Sequence, residues 1–345
     1  MDSLPTFDDD DEQALFDSVI KYQSVDGVIK PTITHTTTYA NSMIFAEKKL
    51  TKLAVDKDDK INPRRYSEIF TLINHETMIR HYFPVSEFSP YVELCFKISD
   101  EDKDKIKTGL EWLDIETKQE ILEKLRTDLR SDRFRKAIER KKKAISKNKQ
   151  SLLRYINALF EYRSRLLIIR LDLSYESNTE RKDKYKSHTK DEIDSWGQTA
   201  RTHRNILIKK LGKQFKESFI GYVWKLEYGK DKGFHYHMIF FLDGSTCRED
   251  ITIAKAIGEL WKTEITHGEG VYWNLNADKK RFEINNRVAT GMIHYKDIAM
   301  RNNLVRMATY LIKPDYFVRT VLPDGARTFQ TGGKPKKIKA GRPRN

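Results

Sequence analysis

Two rhythms of apolar and polar positions divide this chain. Up to about residue 150 it reads as helices joined by charged loops, with residues 8–22, 42–55 and 65–82 as candidate helices. Residues 132–163 are long and basic, contain no Gly or Pro, and gather their apolar positions toward the end, which predicts one continuous helix. The rhythm changes at Arg165. RLLIIRLDLSY is a β-branched and leucine-rich run that predicts a central strand, and a polar helix follows over 198–215. A hairpin comes next, IGYVWKLEYG and FHYHMIFFLDG about the turn GKDKG. Residues 249–266 read as helix, VYWNLN and GMIHYKD as short strands, and 299–313 as a last helix stopped by Pro314. The order β, α, β, β, α, β and a final helix predicts an α+β fold, an antiparallel sheet with helices on one face, preceded by a mainly helical region. The expected divisions are 1–150, 151–320 and a Gly-, Pro- and Lys-rich flexible basic tail over 321–345.

Composition narrows the partners. The chain has 345 residues, 33% of them charged, and a net charge of +14, so polyanions are the expected partners, nucleic acid before an anionic membrane surface. No apolar run reaches the roughly 18 residues of a membrane span. The acidic start MDSLPTFDDDDEQ lacks a signal pattern. Two cysteines, Cys95 and Cys247, are too few for a disulfide framework or a cysteine zinc module, which fits a reducing cytoplasm. The Lys and Arg of 132–163 read either as a solvated helix face or as phosphate contacts.

Alternation along the hairpin sorts its two faces. Tyr222, Trp224, Leu226 and Tyr228 share one side with Phe234, Tyr236, Met238, Phe240 and Leu242. Lys225, Glu227, His235 and His237 take the other. Keeping the apolar sets together requires pairing symmetric about Asp231, with Glu227 opposite His235 and Lys225 opposite His237. Two imidazoles and a carboxylate, about 5 Å apart across strands and about 7 Å apart along one, can hold a divalent cation and leave open positions on it. The plain alternative is two surface histidines on a half-exposed sheet. On the central strand, Arg170 and Asp172 share a face, and Asp172 is placed to support a histidine or to hold Arg170.

A cation site in a basic protein suits phosphoryl chemistry. The last helix offers a nucleophile in Tyr310, with Lys313 three residues on and Arg306 four residues before it on the same face. A core tyrosine with snorkelling basic neighbours is the competing reading. No phosphate-binding loop GxxxxGK[ST] occurs, so unwinding of a duplex needs a partner.

Together these residues resemble the HUH endonucleases, the rolling-circle replication initiators and relaxases, and above all the gene-two-like initiators of filamentous phages and their relatives in bacterial prophages and mobile islands. The likeness covers roughly residues 152–329 and rests on three ordered blocks, LLRYINALFEYRSRLLIIRLDLSY, WKLEYG with GFHYHM, and ATYLIKPDYF. It implies a palm-like antiparallel sheet in a protein of the bacterial cytoplasm. It implies His235, His237 and Glu227 as ligands of Mg²⁺ or Mn²⁺, Tyr310 as nucleophile and Lys313 as its helper. The implied reaction nicks and rejoins single-stranded origin DNA through a 5′-phosphotyrosine link, with a host helicase and polymerase as partners. Some members use two tyrosines; here the second candidate, Tyr316, lies six residues on and past Pro314, which breaks the helical spacing. A relaxase or single-tyrosine transposase with the same chemistry, or a catalytically silent DNA-binding relative, are the alternatives. Lys225, Arg306 and the tail residues Lys336, Lys337, Arg342 and Arg344 are the expected DNA contacts. GRPR in the tail resembles a minor-groove AT-hook core, or is a solvated basic end.

Overall fold

The computed structural model describes residues 21–25, 28–32, 35–58, 60–107, 113–176, 189–229, 233–279, 288–312, 318–322 and 324–335. In chain order the elements are β1 (Lys21–Val25), β2 (Val28–Thr32), α1 (His35–Val55), α2 (Ser67–Asn74), α3 (Glu76–Tyr82), β3 (Ser86–Phe88), α4 (Pro90–Phe96), α5 (Asp100–Lys107), α6 (Ile115–Leu129) and α7 (Asp132–Tyr162). There follow β4 (Arg165–Tyr175), α8 (Lys190–Phe215), β5 (Phe219–Gly229), β6 (Gly233–Asp243), α9 (Asp250–Leu260), β7 (Gly270–Asn274), β8 (Gly291–His294), α10 (Ile298–Tyr310), β9 (Val318–Thr320) and β10 (Phe329–Thr331). The chain forms two compact units. The first is Met1–Ser146 with Gly229–Asp231 and Lys313–Thr320, and the second is the remainder.

The first unit is mainly helical. Leu50, Ile69, Leu72, Val92 and Leu122 share one core, each with essentially no exposed surface. Fully burying a side chain of this size contributes about 1.5–3 kcal/mol. The helix expected over 65–82 is instead a short 3₁₀ turn, Pro63–Tyr66, followed by α2 and α3. The break falls at His75, whose N–H donates to the carbonyls of Thr71 and Leu72 while its own carbonyl starts the next helix at Ile79. No Gly or Pro marks it in the sequence. β3 pairs antiparallel with β9 in the same unit. The helix expected over 8–22 lies outside the described residues, except that Lys21 and Tyr22 belong to β1.

The second unit is built on a six-stranded antiparallel sheet in the order β10-β5-β6-β4-β7, with β8 also on β4. β7 and β8 share one edge of β4: β7 pairs over Leu171–Tyr175, and β8 pairs over Arg165–Ile168. Helices cover both faces of the sheet, which corrects the expectation of one. On the aromatic face, the Arg204 guanidinium of α8 lies 4.1 Å from the Trp224 ring, and Gly197 of α8 meets Phe234. α9 presses Gly258 onto Tyr272, so closely that a Cβ there would stand 2.2 Å from the ring. On the opposite face, the end of α7 (Leu152, Ile156, Leu159) and α10 (Leu304, Ala308) share a core with Leu166, Ile168, Val223, Ile239 and Phe241. The cause is visible in the strands. LLII and MIFFL are apolar on both sides, as sheets buried between two helical layers require.

α8 begins at Lys190, before the expected start at 198, behind a capping box in which Thr189 and Glu192 satisfy each other's backbone N–H groups. A second correction concerns the tail over 321–345. Its segment Phe329–Thr331 is a strand on the outer edge of β5, with Phe329 opposite Lys225 and Thr331 opposite Val223. This covers backbone groups that a bare sheet edge would leave unpaired. Residues 336–345 lie outside the described residues. Among the described residues, no helix is long and apolar enough to cross a membrane.

Candidate metal centre

One face of the sheet changes character along its length. Where β4, β5 and β6 run through Leu166, Ile168, Val223, Ile239 and Phe241, it is apolar and covered. Two residues further along each strand it becomes Arg170, Asp172, Lys225, Glu227, His235 and His237, all charged or titratable. Strand register brings these together. Asp172 pairs with His237 and Arg170 with Ile239, and directly paired residues point to the same side.

The Glu227 carboxylate reaches both histidines through one oxygen, with Oε2 3.4 Å from Nε2 of His235 and 3.4 Å from Nε2 of His237. The imidazole planes are perpendicular, with centroids 5.2 Å apart. Each ring is also held through its other nitrogen. His235 Nδ1 is 3.2 Å from the Gly233 carbonyl. His237 Nδ1 is 2.8 Å from Asp172 Oδ1 and 3.1 Å from Arg170 Nη2. A carbonyl can only accept, so Nδ1 of His235 carries a proton, and its Nε2 presents a lone pair whenever the ring is neutral. At His237 the neighbours of Nδ1 are a pure donor, Arg170 Nη2, and a pure acceptor, Asp172 Oδ1. This is the second-layer support found behind metal-ligating histidines.

The three donor atoms fit a cation. All lie within 4.8 Å of one another. Ligands sharing one ion at about 2.1 Å stand about 3.0–3.4 Å apart, so each Glu227–histidine spacing already suits a common ion. A Glu-His-His group of this kind could hold a metal ion and leave positions open.

Electrostatics agree with the geometry. Burial would raise the Glu227 carboxyl, but hydrogen bonds from His235 and His237, with their charges, outweigh it and hold the group well below the usual carboxylate range. Burial would lower His237, but the Asp172 charge and hydrogen bond, with those of Glu227, raise it. The Glu227 carboxyl is thus held ionised between the two Nε2 atoms.

The other expected residues divide. Asp172 contacts His237 and also pairs with Arg170 at 2.9 Å. Arg170 is 7% exposed. Lys225 is only 1% exposed, so the expected DNA contact there is corrected: it is an interior cation on the polar half of the face, between β10 and β6. Arg306 is exposed on α10. Tyr310 is the last residue of α10, whose core residues pack on the same sheet face as the triad, and its hydroxyl oxygen is shielded from solvent. Lys313, Tyr316, Lys336, Lys337, Arg342 and Arg344 lie outside the described residues.

Sequence reasoning overlooked two supports. Gly233 has φ of 68°, a left-handed backbone suited to glycine, and this presents its carbonyl to His235. The signal was a glycine opening the second hairpin strand. Asn276 is fully buried. Its Oδ1 accepts from the backbone of Arg170 at 2.8 Å, and its Nδ2 donates to the Ile168 carbonyl at 2.8 Å, which fixes the strand that carries Arg170 and Asp172.

No curated protein and no solved structure matches the chain. A model of the YagK/YfjJ C-terminal domain matches residues 127–307. That span contains β4 to β8, the whole Glu227–His235–His237 group, Asp172 and Arg170, and it ends three residues before Tyr310. With more than half of its length matched, the chain belongs to the YagK/YfjJ C-terminal domain family.

Proposed function

We propose that this chain is a metal-dependent single-strand DNA nicking and joining enzyme of the HUH type, acting in the bacterial cytoplasm at the start of rolling-circle replication of a phage or mobile element. The observation that carries the reading is the convergence of His235 Nε2 and His237 Nε2 on one Glu227 carboxylate oxygen, each 3.4 Å from it, with each ring held through Nδ1. The net charge of +14 suits a nucleic acid substrate, and the antiparallel sheet suits the palm of such enzymes.

His235, His237 and Glu227 would hold Mg²⁺ or Mn²⁺, which supplies positive charge to a non-bridging oxygen of the scissile phosphate. The rest belongs to the chain. The Tyr310 oxygen attacks phosphorus and loses its proton, the bond to the 3′ oxygen breaks, and that oxygen leaves as a 3′-hydroxyl after taking up a proton. A 5′-phosphotyrosine remains, and attack by a 3′-hydroxyl reverses it, so strands are exchanged without hydrolysis. Lys313 is the proposed cation beside the phenol, and Tyr316 the reserve tyrosine. A host helicase and polymerase are the proposed partners.

The test is a covalent-adduct assay with labelled single-stranded DNA from the chain's own locus, Mn²⁺ and a denaturing gel. The reading expects a metal-dependent protein–DNA band that disappears in Tyr310→Phe and in the double variant His235→Ala with His237→Ala. Loss in Tyr316→Phe with survival in Tyr310→Phe moves the nucleophile. DNA binding without any adduct from the wild type would instead support a binding protein.

A further inference from the structure

We infer that the outer face of α7 is a docking surface for duplex DNA, held by the phosphate backbone, in addition to the metal centre. Lys136, Arg140, Lys143, Lys147 and Arg154 follow one another at spacings of four, three, four and seven residues. On an α-helix they fall within an arc of about 60°, and the row they form is about 27 Å long. All of them are exposed. They stand on one continuous helix, Asp132–Tyr162, so their spacing is that of the helix itself. The opposite side of α7 carries Phe134, Ile138, Leu152 and Ile156, each buried in a core, and the row therefore faces outward.

The fold gives this charge no counterpart. From Glu139 to Ser151 no residue of α7 is buried. A helix that is polar all round is ordinarily held by pairs of opposite charge along its faces. Here the neighbours are alike: Lys136 and Arg140, and Lys143 and Lys147, stand four apart, and Arg140 and Lys143 three apart. Between Asp132 and Glu161 the only acidic residue is Glu139. Among the described residues, the cations of α7 that meet a carboxylate are Arg135, with Asp132, and Lys141, 3.9 Å from Glu87; no member of the row does. A helix that repels itself along one side is relieved by a polyanion laid against it. What the row lacks selects the polyanion. Single strands are held by aromatic rings that stack on unpaired bases as well as by cations, and no aromatic residue occurs between Phe134 and Tyr155. A duplex offers about one negative charge per 1.7 Å of its axis, on a stiff surface that suits a straight row. Contacts of this kind position DNA without reading its sequence. The inference rests on the reading given above in taking the polyanion to be DNA, but not on the metal or the tyrosine.

The experiment measures binding of the full chain to a short DNA duplex of arbitrary sequence, and to one of its strands, by fluorescence anisotropy in EDTA over a series of salt concentrations. The row variant combines Lys136→Gln, Arg140→Gln, Lys143→Gln and Lys147→Gln, which keep helix-forming side chains. The control variant combines Lys52→Gln, Lys57→Gln, Lys97→Gln and Lys107→Gln, exposed cations elsewhere, and lowers the net charge equally. The row variant is expected to bind the duplex about 100-fold more weakly than wild type at low salt, with the slope of log K against log salt flatter by about 3–4. The control variant is expected to keep its slope within about 1 of wild type, and on the single strand the two variants should behave alike. Lys136→Arg with Lys143→Arg and Lys147→Arg, which keeps the charge, is expected to bind the duplex as wild type does. A row variant no weaker on the duplex than the control variant overturns the inference. So does a row variant that loses as much affinity for the single strand as for the duplex, or a wild type that binds phosphatidylserine vesicles through the row and duplex DNA not at all. If no covalent adduct forms in the assay described above but duplex binding still depends on the row, the nicking reading fails and the docking surface stands.

Discussion

Glu47 and Glu227 are both buried glutamates, one in each unit, and their surroundings drive them in opposite directions. Glu47 on α1 has no exposed surface. Ser89 Oγ donates to its Oε2 at 2.8 Å, and its Oε1 has no hydrogen-bond partner among the described residues. Burial outweighs the Ser89 hydrogen bond and the Lys141 charge and pushes its pKa up to about 8. Burial acts on Glu227 in the same sense, yet two imidazoles overcome it. A core can take in a carboxyl by leaving it protonated, as the first unit does. Bringing two histidines and an arginine–aspartate pair around an ionised one is not needed for folding, and that makes the second cluster the functional candidate.

The comparison breaks most completely at the ligands. Replacing His235 and His237 together by Ala is expected to abolish Mn²⁺ binding in calorimetry, because one carboxylate remains of three donors. By contrast, Glu47→Gln should leave that binding unchanged. The two halves of the sheet face separate next. Phe241→Ala, in the covered half, should cost about 3–5 kcal/mol in denaturant unfolding, since it opens a cavity between sheet and helices. Glu227→Gln should cost the protein its cation far more than its fold.

Stability against pH sharpens the contrast, because the signs are opposite. Folded Glu47 keeps its proton up to about 8 while the unfolded chain loses it near 4.5, so its contribution to stability falls as pH rises through that window and is flat above it. The whole effect is at most roughly 5 kcal/mol, and thermal unfolding of Glu47→Gln should lack that slope. Glu227 is held below 4.5, so its contribution is full above that pH and is lost as pH falls further. The smallest effect is at Ser89→Ala, which removes the hydrogen bond to a neutral acid and the N-cap acceptor for the Val92 N–H of α4, and should cost about 1–2 kcal/mol.

Period-2 alternation was enough to place Glu227, His235 and His237 on one face, because an aromatic set on the opposite side left a single consistent register. The ring contact between Tyr228 and Phe234, 4.7 Å between centroids, lies where that register puts it. The second helical layer was missed because the hairpin was sorted as one polar and one apolar face. Ile239 and Phe241 share the histidine face, and the unbroken runs LLII and MIFFL already mark burial from both sides. Lys225 looked like a surface cation because its cover, β10, comes from a distant stretch whose Gly, Pro and Lys content resembles a free tail. The Arg170–Asp172–His237 triangle was half legible. Alternation aligned Arg170 with Asp172, but the pairing of β4 with β6 that joins them to His237 is a long-range contact that no local pattern encodes.

The central claim is that the polar half of the sheet face holds a divalent cation between three named atoms. The most direct measurement is anomalous diffraction from a crystal of the wild-type chain soaked in Mn²⁺. The account predicts one strong peak about 2.0–2.3 Å from His235 Nε2, His237 Nε2 and a Glu227 carboxylate oxygen, and no such peak in the double histidine variant. A soaked crystal with no density between these atoms, or with its only ordered ion bound elsewhere, would contradict it.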